Sequence, residues 1–193
     1  MRLSVLLLIC LFVLCCTGAM NRTCRRLRVS PGAAAAVGLL LLAASQFSVE
    51  LLSVTLDIAA FAALLLAAAM AARAEGALVC VPVSMACGLL AWFLCAVFPS
   101  ACEPGLLIAL PAAFAARFLF PDARRALLVT QLSPLLYGAV VAVEDWYLFD
   151  YAFQNIGDAA RFDAQICAAA LLAALWYIPS PRFAGRGEAE KTT

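Results

Sequence analysis

Long runs of Ala, Leu, Val and Cys, broken by short clusters of Arg, Pro, Gly and Asp, repeat along all 193 residues of the chain. Seven of these runs are long enough to be read as bilayer spans: 3–20, 31–48, 51–72, 77–98, 105–120, 126–143 and 160–179. A helix crossing ~30 Å of hydrocarbon needs ~20 apolar residues. The breaks between them, such as "NRTCRRLRVSPG", "RAEG", "PSACEPG" and "PDARR", carry the Pro, Gly and paired charges that end apolar helices. The expected fold is therefore all-α: a single transmembrane domain over residues 1–193, a polytopic bundle of about seven helices, or six if the first is removed. Residues 1–20 form a signal-anchor-like first helix, and residues 181–193 a cytoplasmic tail.

One stretch breaks the apolar pattern. In "EDWYLFDYAFQNIGDAARFDAQ", Glu144 to Gln165, residues Trp146, Phe149, Phe153, Ile156 and Ala160 fall on one helical face. Asp150, Gln154, Asp158, Arg161 and Gln165 fall on the other. This predicts an amphipathic helix over 146–159, lying on the outer surface with its aromatic side toward lipid. It serves either as an aromatic belt with a surface connector or as a lid. The lid would offer Trp146, Tyr147 and Tyr151 for stacking, and Glu144, Asp145 and Asp150 for a cation.

Composition agrees with a membrane protein. Hydrophobic residues make up 66% of the chain, charged residues only 13%, and mean hydropathy is +1.01, whereas soluble domains are about half apolar and about a quarter charged. The net charge of +1 argues against nucleic acid as a partner. With the N-terminus outside and the C-terminus inside, Arg22, Arg25, Arg26, Arg28, Arg73, Arg117, Arg124, Arg125, Arg182, Arg186 and Lys191 fall on the inner side, leaving Arg2 and Arg161 outside. That is the expected bias of basic residues. Cleavage after residue 19 would invert every later span, so the first helix is expected to be retained. Arg usage over Lys and abundant Ala point to a GC-rich coding genome, hence a bacterial inner membrane.

Charged and polar groups inside spans carry the candidate chemistry, because they are costly there. On a helix starting near Glu50, residues Glu50, Ser53 and Asp57 share an arc of ~60°, with Asp57 ~10 Å below the outer end. Such a stripe suits a small molecule or a cation. Gln131 and Tyr137 join it as candidates because they lie in "TQLSPLLYG", where Pro134 interrupts the sixth span. Ala59, Ala63 and Ala67 on the third span, and Ser84 with Gly88 on the fourth, form ridges of small residues suited to close helix packing. Nine cysteines show no paired spacing, although Cys102 and Cys167 both approach the outer interface. With no histidine in the chain, His-dependent zinc, haem and Ser–His chemistry is excluded. No metal site or cofactor is expected.

In outline, spans two to seven are similar to the substrate-capture subunits of energy-coupling-factor vitamin transporters; the extra first helix departs from that plan. The seven-span, N-out arrangement is also similar to a glycerol-phosphate acyltransferase family, but its "GSGN"-type loop is absent. The sequence thus favours a non-enzymatic carrier or substrate-binding subunit for a small solute or ion. The alternative is an assembly protein that binds a membrane partner, or its own copies, through the Ala ridges.

Overall fold

In a computed structural model of the chain, residues 3–51, 54–72, 76–98, 105–149 and 159–177 are described. They form a helical bundle with one short hairpin. The helices are α1 (Leu3–Cys16), α2 (Asn21–Leu27), α3 (Pro31–Ala44), α4 (Ile58–Ala71), α5 (Cys80–Val97), α6 (Leu106–Leu119), α7 (Ala123–Phe149) and α8 (Ala159–Leu175). A single 3-10 turn, Ala77–Val79, leads into α5. Strands β1 (Ser48–Leu51) and β2 (Val54–Asp57) pair antiparallel, with Glu50 opposite Thr55 and Ser48 opposite Asp57.

Each of the seven apolar runs contains a helix, but three boundaries differ from the sequence expectation. The third run does not start as a helix at residue 51. Its opening "VTLD" is a strand, and α4 begins only at Ile58. Two physical causes meet at that point. Val and Thr are stiff at χ1 and suit a strand, while Asp57 Oδ1 accepts the Ala59 backbone N–H at 2.9 Å and caps the helix that follows. The first run stops at Cys16, and "NRTCRRL", expected as a loop, folds into α2 at 96° to α1. Last, α7 does not end near residue 143; it runs unbroken for 27 residues through Pro134 to Phe149. Residues 146–149 therefore belong to α7 and do not begin a separate surface helix. The rest of that expected helix, residues 150–158, lies outside the described residues.

Two described stretches, Ala77–Val97 and Ala123–Leu148, are long and apolar enough to cross a membrane, and α1 with α2 makes a third if the bent pair counts as one span. Three others, α3, α4 and α6, are apolar but only 14 residues long, about 21 Å at 1.5 Å per residue.

Contacts fix the direction of each helix. At one end, the Ser4 N–H of α1 donates to Asp163 of α8 at 3.1 Å, and Gly105 before α6 lies against Ala160 and Ala164. At the other end, Tyr177 donates to the Ala19 carbonyl at 3.0 Å, and Arg117 Nε to the Leu175 carbonyl at 3.1 Å. There, Ala71, Cys80, Ala123 and Trp176 also share one core cluster. Helices α1, α4, α6 and α8 therefore run one way, and α3, α5 and α7 the other.

Packing is inverted relative to a soluble core. Buried positions in α4 are Ala59, Ala60, Ala63, Ala67 and Ala71; in α5 they are Cys80, Ser84, Cys87, Gly88, Ala91 and Cys95. The large side chains point outward, with Leu65 and Leu78 as much as 69% and 84% exposed. A helix apolar on all sides, with small residues inward and Leu or Phe outward, suits a lipid surround. At Gly88, an added Cβ would lie 3.1 Å from the Tyr137 backbone nitrogen and 3.3 Å from the Ser133 carbonyl oxygen. That close approach is why α5 and α7 make the most extensive helix contact in the bundle.

Candidate functional site

The expected polar stripe does not exist as a helical face. Asp57 is 4% exposed and serves as the cap of α4. Glu50 lies in β1, on a different element, and Ser53 lies outside the described residues. Asp150 is outside them as well. Trp146 and Tyr147 sit on the last turns of α7, 65% and 86% exposed. The structure brings neither of them to Asp57.

Gln131 and Tyr137 are buried in α7 and belong to two different clusters. The Tyr137 ring lies 5.4 Å from the Arg161 guanidinium, a cation–π contact. Nearly two turns beyond Tyr137, at the same end, Glu144 accepts the Trp92 indole N–H at 2.6 Å. Gln131 is instead tied to Gln165, which the sequence pattern placed on an outer polar face. Gln165 is fully buried. Its Nε2 donates to the Gln131 carbonyl at 2.8 Å and to the Ala60 carbonyl at 3.3 Å, while Gln131 Nε2 donates to the Gln165 carbonyl at 3.3 Å. This exchange joins α4, α7 and α8 at mid-bundle. It satisfies the amide donors, as buried polar groups require, but leaves both Oε1 atoms without a hydrogen bond. Gln165 was misread because its 3.6-residue neighbours Asp158 and Arg161 are charged. A lone amide one helical turn beyond Arg161 was the available signal.

Next to Gln131 opens a cleft of about 620 Å³. It runs between α1, α2 and α3 on one side and α4, α7 and α8 on the other, from Leu7 and Leu8 down to Met20, Leu27 and Trp176. Its walls are almost wholly apolar, with Thr23, Gln131 and Tyr177 as exceptions. Of the expected ligand-binding residues that are described, only Gln131 lines it; Ala63 and Ala67 of the expected packing ridge do so too. Those small side chains on α4, with Gly38 on α3, leave the space that larger residues would fill.

The floor of the cleft is α2. Thr23 and Cys24 are buried, and together with Leu27 they line the cavity, whereas Arg22, Arg25, Arg26 and the cap residue Arg28 are exposed. Arg26 lies 5.9 Å over the Trp176 ring, which itself lines the cleft. Arg117, Arg124 and Arg125 occupy the same end of the bundle, where Arg125 pairs with Asp122 at 3.6 Å. Every described arginine except Arg161 is thus at the α2 end. Among the described residues, no carboxylate pairs with Arg22, Arg25, Arg26 or Arg28.

Cys167, expected near the outer interface, is a free thiol buried in mid-α8 against Ala109 and Ala112. Cys102, its expected partner, lies outside the described residues. No family model, curated protein or solved structure matches this chain.

Proposed function

We propose that the protein is a multi-pass membrane protein that holds a small solute within its helical bundle, as a carrier or the substrate-binding subunit of one. The observation that carries this reading is the 620 Å³ apolar cleft beside Gln131. Its volume falls in the ~300–1,000 Å³ range of small-molecule sites. The helices alternate in direction and end with arginines on one side, which supports seven crossings with the N-terminus outside and the α2 end in the cytoplasm of a bacterial cell. The binding place moves from the Asp57 stripe to the cleft. Asp57 retains a structural role, so its substitution would report on α4 and not on solute.

The rival reading, an assembly protein docking through its Ala ridges, loses part of its surface. Ala59, Ala63 and Ala67 are buried within this chain's own bundle. Gly38→Leu tests the solute reading. An added Cβ at Gly38 meets only the Leu11 side chain, at 3.7 Å, and replacing a helical glycine favours the helix by up to ~1 kcal/mol. The larger side chain fills the cleft without straining the backbone. In native mass spectrometry of the detergent-purified chain, the wild type is expected to retain a small molecule that Gly38→Leu releases. A wild-type chain that carries nothing, or a variant that retains the same molecule, would sink the proposal.

A further inference from the structure

We infer that the cleft is a site for one anionic phospholipid, its acyl chain in the apolar cavity and its phosphate against the arginines of α2. This inference rests on the solute-holding reading above and names the class of ligand. Two independent features of the same short helix lead to it. On its inner side, Thr23, Cys24 and Leu27 complete the wall of a cavity with almost no hydrogen-bonding surface, which suits a hydrocarbon chain and no polar metabolite. On its outer side, Arg22, Arg25 and Arg26 are exposed and have no carboxylate partner among the described residues.

The two sides meet at Trp176, whose ring lines the cleft and carries the Arg26 guanidinium 5.9 Å above it. A molecule that follows the cleft to its basic end therefore emerges beside Arg26. Burial, and then the charges of Arg22 and Arg117, lower the Arg26 pKa from its ordinary value, so an anion placed there relieves like-charge crowding. The 96° bend between α1 and α2 lays the helix across the bundle end, where an amphipathic segment sits at headgroup depth. The geometry matches an amphiphile: an apolar body, then a phosphate at the level where arginine forks bind phosphate oxygens best.

The test uses the full chain in mild detergent with phosphatidylglycerol or phosphatidylcholine added, and reads bound lipid by native mass spectrometry. One phosphatidylglycerol per chain is expected, favoured over phosphatidylcholine. Each arginine near the headgroup contributes about fivefold to that preference, so R25Q/R26Q, which leaves Arg22, is expected to bring the two lipids within about fivefold. R25K/R26K, which keeps both charges, is expected to retain most of the preference, and R22Q/R25Q, with the same expected loss, stands in if R25Q/R26Q fails to fold. Gly38→Leu is expected to remove both lipids.

Equal retention of the two lipids by the wild type overturns the headgroup assignment, as does a preference that survives R25Q/R26Q undiminished. If that retention is still released by Gly38→Leu, the solute-holding reading stands while this inference falls. Lipid that persists in Gly38→Leu lies outside the cleft, which also overturns the inference. So does thermal stabilisation by inorganic phosphate alone equal to that given by phosphatidylglycerol, which would assign the arginines to a free anion. Retention of neither lipid, with no other molecule bound, sinks both readings together.

Discussion

Single residues in this protein do structural work that their chemical type alone suggested was functional. Asp57 is the clearest case. It is an ionisable group between apolar segments, which normally points to transport, yet its carboxylate caps α4 through the Ala59 N–H. Asn caps a helix about as well as Asp, whereas Ala does not. Asp57→Asn is therefore expected to leave thermal unfolding nearly unchanged, and Asp57→Ala to cost about 0.5–2 kcal/mol. A loss of stability in Asp57→Asn equal to that in Asp57→Ala would show that the charge matters more than the cap. Gln165 makes the opposite point. Gln165→Ala removes two donated hydrogen bonds and leaves a hole between α4, α7 and α8, so a loss of about 2–3 kcal/mol is expected in a thermal melt. A variant that unfolds with the wild type would show that the amide exchange contributes nothing. The identity of both residues was plain in the sequence, but their roles were not. A cap depends on where the helix starts, and a buried amide depends on which neighbours face it.

Among the elements, apolar run length was the most legible signal. Each of the seven runs contains a helix, because no other structure satisfies so many backbone groups without polar partners. Ends were less legible. The "VTLD" segment is apolar enough to pass for helix by hydropathy, yet it pairs as a hairpin with "SVEL", which reads as a break between spans. The arginine-rich "NRTCRRL" reads as a loop by charge, although Thr23, Cys24 and Leu27 give it a buried side. Hydropathy weighs the mean of a window, and both features depend on the arrangement within it. Small-residue spacing was a better guide. Ser84 and Gly88 were expected to let helices approach, and at Gly88 the α7 backbone lies within van der Waals reach of an added methyl group. Gly88→Val is thus expected to destabilise the bundle by about 1–3 kcal/mol through overpacking. An unchanged melting temperature would show that α5 and α7 can separate without loss.

For the whole molecule, the cleft was not legible at all. It arises where α2 folds under α1 and α3 opposite the Ala-rich side of α4, a juxtaposition of elements far apart in sequence. The charge asymmetry, by contrast, was visible from the loops, and the contacts gather Arg22, Arg25, Arg26, Arg28, Arg117, Arg124 and Arg125 at one end, while Arg73, Arg182, Arg186 and Lys191 lie outside the described residues. Solute holding, lipid selectivity and orientation all presuppose that the two ends of the bundle lie on opposite sides of a bilayer. The most direct test places single cysteines in a cysteine-free background and asks which side of the membrane labels each with an impermeant maleimide. Thr17 and Arg124 mark the basic end, and the exposed Phe47 and Tyr147 mark the other. A bundle that crosses the bilayer with its basic end inside predicts labelling of Phe47→Cys and Tyr147→Cys in intact cells, and of Thr17→Cys and Arg124→Cys only after the membrane is opened. Labelling of all four from one side would contradict it.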